Sequence, residues 1–265
     1  MIKTNNKVLI TISCVVLFFL IAPLFMIVVT AFGSGATIDF PIQGFTFKWF
    51  ANVFAQPDFV SGFEMSFLVA ILASALALLV GVPLVYALTH YHIHHQQWFQ
   101  VLFLSPTFIP EIVIGFALYQ AMVILFQLPL LVTLLVGHFL LCLPYVVRLI
   151  TASMTMLDVH VEEAAWIYGS SRIHAFLTIT LPSIRSSIVA AFMLSFINSF
   201  NNIPISLFLN GPNLNMLPTS ILNYLQNNYD PTVSAVSVLL MLFTAMLMIL
   251  VEHFIGLNAL SKDRS

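Results

Sequence analysis

Glu163-Ala164-Ala165, followed by Gly169 and then by Ile179-Thr180-Leu181-Pro182, is the stretch that decides how this chain is organised. Three residues separate Ala165 from Gly169, and nine separate Gly169 from Ile179. The stretch is a polar interruption in an otherwise apolar sequence. It therefore predicts a structured segment that lies outside a membrane, between helices that cross it.

The segment from about 158 to 182 predicts two short helices joined by a tight turn, and we call it the knob. Asp158 is a suitable N-cap, and Gly169 is able to end the first helix in the left-handed conformation. Ser170 or Ser171 then caps a second helix, until Pro182 begins a new one at a first-turn position.

The first helix of the knob has a surface that suits docking. Ala164 and Ala165 keep one face small enough for another backbone to approach closely, while Glu162 and Glu163 offer carboxylates to a basic partner. The alternative is a solvated loop that happens to contain Glu-Ala-Ala. Gly169 and Ile179-x-Leu181-Pro182 follow the Glu-Ala-Ala at the distances given above, which favours docking.

The composition places the chain among multi-pass membrane proteins. Apolar residues make up 60% and charged residues only 7%, with 25 Phe, which favours a lipid bilayer as solvent over a soluble domain with a large core. The formal net charge of −2 argues against a nucleic-acid partner.

The hydropathy predicts six helical spans, because roughly 20 apolar residues cross a bilayer core. The apolar region from 101 to 150 is twice that length, and Gln127-Leu128-Pro129 divides it into two helices. The expected fold is a single all-α transmembrane domain over residues 1–265, with spans at about 8–32, 60–89, 101–126, 130–150, 183–209 and 232–257.

The basic residues predict the orientation, since they collect on the cytoplasmic side. With the amino terminus inside, only Lys48 lies outside. The basic residues in or beside cytoplasmic segments are Lys3, Lys7, Arg148, Arg172, Arg185, Lys262 and Arg264. Both termini and the knob are therefore expected in the cytoplasm. The first span is too long for a cleavable signal peptide and no Ala-x-Ala site follows it, so we expect it to be retained.

The two external segments, 33–59 and 210–230, are too small to hold a folded domain. Phe45, Phe47, Trp49 and Phe50 are expected to lie along the membrane surface. The chain contains no Gly-x-x-x-x-Gly-Lys-Ser/Thr loop for nucleotide phosphates, so energy for any work must come from a partner.

The knob matches, at every defined position, the EAA loop of binding-protein-dependent ABC importer permeases. Over nearly the whole chain the sequence resembles the spermidine/putrescine type of permease subunit. The stretches that carry this resemblance are Gly44 to Phe50, Ser105-Pro106, Pro110 to Val113, Cys142 to Val147, Gly211-Pro212, Leu217-Pro218, Asp230-Pro231 and Ala235 to Ser237.

The resemblance implies a type I ABC importer permease fold in the bacterial inner membrane, and a transport subunit in place of an enzyme. It implies a second permease subunit, two ATPase subunits that bind ATP and Mg, and an extracytoplasmic solute-binding protein, with no cofactor bound by this chain. The residues that would couple to the ATPase are Glu162, Glu163, Ala164, Ala165, Gly169, Ile179, Leu181 and Pro182. A stand-alone secondary transporter or channel is the alternative, and it predicts coupling-ion carboxylates in the spans and no docking loop.

The fifth span departs from the family in a way that bears on the solute. Polyamine-type subunits carry an acidic pair where this sequence has Asn201-Asn202, and carboxamides form hydrogen bonds but cannot neutralise charge. Asn198, Asn201 and Asn202 are candidates for the translocation path, or equally for hydrogen bonds between helices. Pro204 is expected to break the helix and free carbonyls toward a cavity.

Glu111 is the only carboxylate within the third span, and a carboxylate in that position is a candidate for solute contact. Ser105-Pro106 and Pro110 precede it and predict a wet, broken segment. No Lys or Arg lies near the middle of a span to receive an anion, so a small cationic or zwitterionic solute is expected. Polyamine, opine, amino-acid-like and phosphonate compounds all remain open.

The histidines predict neither a metal site nor an active site. His90 and His94 are one helical turn apart in a cluster with His92 and His95, but no Cys or carboxylate stands nearby in the sequence. His138 is expected to be a hydrogen-bonded residue between helices. No hydrolase or zinc-protease motif occurs, and no catalytic residue is predicted.

Overall fold

The computed structural model describes residues 6–91, 96–212 and 214–255, and they form helices joined by short connections. The helices are α1 (Asn6–Ala31), α2 (Lys48–Ala55), α3 (Pro57–His90), α4 (Gln96–Leu104), α5 (Glu111–Leu118), α6 (Leu130–Met154), α7 (Val159–Ile167), α8 (Arg172–Ala175), α9 (Leu181–Ser183), α10 (Arg185–Phe200), α11 (Pro204–Phe208), α12 (Leu217–Asn227) and α13 (Thr232–Ile255). A tight 3₁₀ turn covers Ser105–Phe108, and wider π-helical turns cover Tyr119–Leu125 and Phe176–Thr180. The expected all-helical class is confirmed for these residues.

Within the described residues, four helices are long and apolar enough to cross a bilayer: Lys7–Ala31, Pro57–His90, Leu130–Met154 and Thr232–Leu250. Two further pairs of helices pass the same test only when taken together, and both are bent. Trp98–Phe108 and Glu111–Leu125 meet at 96°, and Arg172–Ser183 and Arg185–Phe200 meet at 70°. The predicted six spans are reached only if each bent pair counts as one span.

The breaks fall where proline and turn residues interrupt the apolar runs. Gln127 has a positive φ of 52° and separates the third predicted span from α6, as the sequence indicates. The predicted fifth span, 183–209, is not one helix. It ends as α10 at Phe200 and restarts as α11 at Pro204, because proline fits the first turn of a helix but not its interior.

The chain forms two compact units, one with residues 6–60 and 220–246 and the other with the remaining described residues. In the first unit, the rings of Phe32 and Phe45 stack with centroids 5.0 Å apart. Phe45 and Phe47 are exposed, but Trp49, expected on the same surface, is buried. Its indole N–H donates to the carbonyl of Gly33 at 2.7 Å, which satisfies the one polar group of the ring inside the fold.

The second unit contains the knob and the interrupted fifth span. Its core is built on α6, where Val146 and Ile150 are fully buried. Small residues of the neighbouring helices, Ala73 and Ala77 on α3 and Ala191 on α10, pack into the same cluster. Small side chains allow close approach of helices that have no hydrophobic drive to associate in lipid.

Candidate functional site

The knob folds as its sequence indicates. The Asp158 side chain accepts a hydrogen bond from the His160 backbone N–H at 3.0 Å and caps α7. Gly169 ends the helix with φ at +88°, and the Ser171 hydroxyl accepts from the His174 N–H at 3.2 Å to cap α8. Pro182 lies in the first turn of α9. The knob is therefore a compact unit set by local sequence signals.

The two adjacent glutamates of the knob face in opposite directions. Glu162 is only 3% exposed, whereas the Glu163 side chain is half exposed. The expectation that both carboxylates are offered to a partner therefore fails for Glu162, because its oxygens are already used inside the chain. They accept hydrogen bonds from Tyr86 Oη and from Thr180 Oγ1, the latter at 2.8 Å.

His90 completes the surroundings of the buried glutamate, with its Nε2 3.1 Å from a Glu162 oxygen. His90 and Tyr86 are four residues apart on α3, so they lie on one face of the helix. Sequence analysis missed Tyr86 and Thr180, and treated His90 only as part of a histidine cluster. The signal that could have found them was a polar pair at this spacing at the end of an apolar span. Residues 92, 94 and 95 of that cluster lie outside the described residues.

Glu163 pairs with His160 instead, at 3.0 Å between a carboxylate oxygen and Nδ1. The hydrogen bond to Glu163 raises the pKa of His160, and the nearby charge of Asp158 acts in the same direction. His160 is exposed to solvent, and because its pKa is raised it keeps its proton to a higher pH than a free histidine. The outer face of α7 therefore carries an exposed pair of polar side chains, Glu163 and His160.

Apolar side chains are also exposed on the knob. Ile167, Tyr168 and Ile173 are 84%, 92% and 74% exposed, on either side of the turn at Gly169. Lipid does not account for them if the knob lies outside the spans. Of the predicted coupling residues, Ala164 and Pro182 are exposed, and Ala165, Ile179 and Leu181 are half-buried.

A cation–π contact stiffens the turn of the knob. The Arg172 guanidinium lies 5.2 Å from the centroid of the Trp166 ring and 5.5 Å from that of Tyr91. These contacts connect α8 to α7 and to the residue that follows α3. The two short helices are held together by more than their connecting turn.

The second candidate region lies where α5 begins and where α10 gives way to α11. Asn202 Nδ2 donates to Glu111 Oε2 at 2.7 Å. Asn202 Oδ1 accepts from the Ile205 backbone N–H at 3.0 Å, so the same side chain, one residue before the N-cap Ile203, satisfies an N–H group in the first turn of α11. The structure thus brings together two of the residues predicted for the translocation path.

A buried histidine extends this polar region into α6. His138 Nδ1 lies 2.7 Å from the Ser199 hydroxyl, and its Nε2 lies 3.2 Å from the Ser206 hydroxyl. Ser206 in turn donates to the backbone carbonyl of Asn202 at 2.9 Å. His138 therefore hydrogen-bonds between helices, as its sequence context predicts. We call Glu111, His138, Ser199, Asn202 and Ser206 the polar seam.

The other two predicted path residues do not join the polar seam. Asn201 is exposed and its Nδ2 donates to the carbonyl of Ile197, one turn back in α10. Asn198 is half-buried, and its buried Nδ2 has no hydrogen-bond partner among the described residues.

A small cavity of about 100 Å³ opens beside the Glu111 carboxylate. Thr107 and Ile109 line it from the kinked third span, and Pro144 and Tyr145 line it from α6. The cavity therefore combines one carboxylate, two hydroxyl-bearing side chains and apolar walls. Groups that could hold a metal ion, as clusters of three or more His, Cys, Asp or Glu, do not occur in the described part of the chain.

Two sequence relatives of the chain are transport permease proteins. The chain is 25% identical over 230 residues to the putrescine transport system permease protein PotI of Escherichia coli (strain K12), covering 84% of this chain and 82% of that protein. It is 26% identical over 232 residues to the spermidine/putrescine transport system permease protein PotC of the same strain, covering 87% of each. No family model matches the chain.

Solved structures share the fold. One similar chain comes from a bacterial alginate ABC transporter in complex with alginate pentasaccharide-bound periplasmic protein. It superposes with a TM-score of 0.69 at 18% identity, and the match covers 94% of this chain and 93% of that one. A chain of a bacterial ABC transporter involved in the import of the acidic polysaccharide alginate gives 0.65 at 15% identity, over all of both chains.

The fold is that of the membrane subunits of bacterial ABC importers. The sequence resemblance to ABC importer permease subunits of the spermidine/putrescine type is likewise confirmed. The chain is a multi-pass protein of the inner membrane, and it is similar in sequence to transport permease subunits.

Proposed function

We propose that this chain is one permease subunit of an ATP-driven, binding-protein-dependent importer, and that the knob couples it to a separate ATPase. The observation that carries the proposal is the division of the knob into an inner and an outer face. Glu162 is buried, while Glu163 and the apolar side chains around Gly169 are exposed. Exposed apolar groups beside a carboxylate are typical of a protein interface.

The assembly would contain a second permease, two ATPase subunits and an extracytoplasmic solute-binding protein. Sequence similarity over 87% of a transport permease supports this, as does likeness in fold to a transporter chain found with a periplasmic protein. ATP and Mg would be bound by the ATPase partner. Closure of the ATPase pair on ATP would move the knob, and helix bundles would rock to turn the cavity outward. ATP hydrolysis would reset the cycle.

The solute is a small cationic or zwitterionic compound, and amines of the polyamine kind are the first to test. Relatives named for putrescine and spermidine support that class. The polar seam offers one carboxylate, Glu111, and the carboxamide of Asn202, which hydrogen-bonds but carries no charge. A site with a single carboxylate neutralises one ammonium group of the solute and leaves a second ammonium group without a counter-charge.

The test of coupling is the charge reversal Glu163→Lys. Uptake should be abolished and the ATPase should be lost on co-purification, because a charge-assisted contact contributes on the order of 1.5–3 kcal/mol and reversal adds repulsion. Glu163→Gln should give a smaller loss of the same kind. Asp58→Lys, the same reversal at an exposed residue in the first turn of α3, serves as the control for membrane abundance.

Normal uptake with a normal amount of retained ATPase in Glu163→Lys would contradict the docking role. Uptake that needs no ATPase at all would point to the alternative, a stand-alone secondary transporter or channel.

A further inference from the structure

The buried carboxylate of Glu162 joins three segments of the chain that are distant in sequence. It lies on α7 and accepts from Tyr86 on α3, 76 residues away. It also accepts from Thr180, which lies on the π-helical turn between α8 and α9. His90, at the end of α3, lies within 3.1 Å of the same carboxylate. These contacts do not belong to a surface that a partner could reach.

The groups that donate to Glu162 are themselves held by aromatic packing. The ring of Tyr86 stacks on that of His90 with centroids 4.3 Å apart, and it contacts Phe176 at 4.6 Å. Phe176 belongs to the same π-helical turn as Thr180. The end of α3, the first knob helix and the last knob turn therefore meet at one buried point.

A buried carboxylate with all its donors in place resists displacement, because breaking one contact leaves charge or polar groups unpaired in a dry site. The turn that follows α7 is held differently. It is exposed at Gly169, where a Cβ would meet no atom within 4 Å, and the contacts that hold it are those of the exposed Arg172 guanidinium with Trp166 and Tyr91. Contacts of this kind are weak where water reaches them, so movement of the outer face of the knob would be passed to a span mainly by the buried contacts of Glu162.

We propose that Glu162 is a positioning residue that fastens the knob to the cytoplasmic end of α3, so that movement of the docked knob is passed directly to that span. This inference rests on the proposed coupling function. Glu163 would hold the ATPase, and Glu162, one residue away, would transmit its movement. Tyr86, His90 and Thr180 are the partners that make the connection rigid.

The first test measures rigidity without any partner subunit. A spin label is attached at Ile173→Cys, an exposed position on α8, in a protein that also carries Cys14→Ser and Cys142→Ser. The label should be ordered with Glu162 in place and clearly more mobile in Glu162→Gln, whose amide group carries no charge and has one acceptor oxygen where the carboxylate has two. Glu163→Gln is the matched control, and it should leave label mobility unchanged. Equal label mobility with Glu162 in place and in the Glu162→Gln variant would overturn the proposal.

The second test separates transmission from docking, with radiolabelled putrescine as the probe in the assembled transporter. Glu162→Gln should retain the ATPase on co-purification but lower uptake per ATP hydrolysed by roughly tenfold, as expected for loss of a hydrogen bond to a charged group. Tyr86→Phe should act in the same direction. Combining the two should add little, because both remove one shared contact.

Two outcomes would overturn the transmission role. One is unchanged uptake per ATP in Glu162→Gln. The other is loss of the ATPase to the same degree as in Glu163→Lys, which would place Glu162 in docking. If Glu162→Gln fails to reach the membrane, Thr180→Val and Tyr86→Phe each remove a single hydroxyl and allow both measurements. The spin-label result does not depend on the ATPase. It therefore tests whether Glu162 holds the knob on α3 separately from whether the knob couples to the ATPase.

Discussion

The Glu111 carboxylate is held by a carboxamide and not by a second charge. Its hydrogen bond from Asn202 leaves its negative charge uncompensated by that partner. We propose that this carboxylate, which has a neutral donor and lies next to a small cavity, accepts a cation. The same side chain satisfies an N–H group in the first turn of α11, so a solute that displaces it from Glu111 would also disturb the start of that helix.

We expect Glu111→Gln to reduce uptake of a cationic solute by about tenfold or more, since an uncompensated charge in a low-dielectric cavity costs several kcal/mol. A zwitterionic solute should be affected less. The measurement is uptake at matched membrane abundance, with the solute identified by a binding screen on the cognate binding protein. Glu64→Gln is the control, because Glu64 is an exposed carboxylate near the start of α3. Full uptake of a cation by Glu111→Gln would remove the proposed role from this residue.

Two glycines are required for different reasons. One allows a close contact between helices, and the other allows an unusual backbone conformation. A Cβ at Gly115 on α5 would lie 3.0 Å from the Ile205 Cα on α11, so backbone would have to move. A Cβ at Gly169 would meet nothing, but the φ of +88° is unfavourable for any other residue.

Gly115→Ala should therefore destabilise the protein by about 1–3 kcal/mol and lower uptake, because it pushes α11 and Asn202 away from Glu111. Gly169→Ala should cost about 1–2 kcal/mol. Gly169→Ala should lower the amount of ATPase retained and leave the polar seam intact. Thermal unfolding in detergent measures the loss of stability, an uptake assay measures transport, and co-purification measures how much ATPase is retained. The assignment would be contradicted if Gly115→Ala released the ATPase and Gly169→Ala did not.

Local signals in the sequence were sufficient to predict the knob. Asp158, Gly169 and Ser171 act on backbone groups within a few residues of themselves, so their roles follow from residue type and order. The inward direction of Glu162 was not predictable in this way. Two of its partners, Tyr86 and His90, lie on α3. The spacing of residues within α7 does not show which face of α7 packs against α3.

The polar seam was predicted only in part, for the same reason. Glu111 and Asn202 were each singled out by the rarity of polar groups in apolar spans, but their contact joins positions 91 residues apart. Ser199 and Ser206 carried no signal of their own, since serine is common in such helices. Their role is visible only once the helix breaks at Pro204 and both hydroxyls lie against His138.

At the scale of the whole molecule, the orientation remains a prediction that rests on the positions of the basic residues. Reporter fusions after residue 265 and within the knob should be active in the cytoplasm, whereas a fusion within 210–230 should be active outside. An odd number of spans would place the two ends of the chain on opposite sides. A reporter at residue 265 that is active outside would therefore contradict the predicted position of the carboxyl end, and the fusion within the knob would then show whether the span count or the orientation is wrong.

Most of the first span is exposed. Residues 7–21 of α1 are all exposed, and burial is reached only at Thr30 and Ala31 in its last turn. Where no neighbouring side chain imposes a shape, the remaining requirement on each position is its transfer free energy into lipid. Many apolar residues meet that requirement equally well. Substitutions should therefore accumulate faster over most of α1 than along α6, with hydropathy preserved and the identity of each side chain free to drift during evolution.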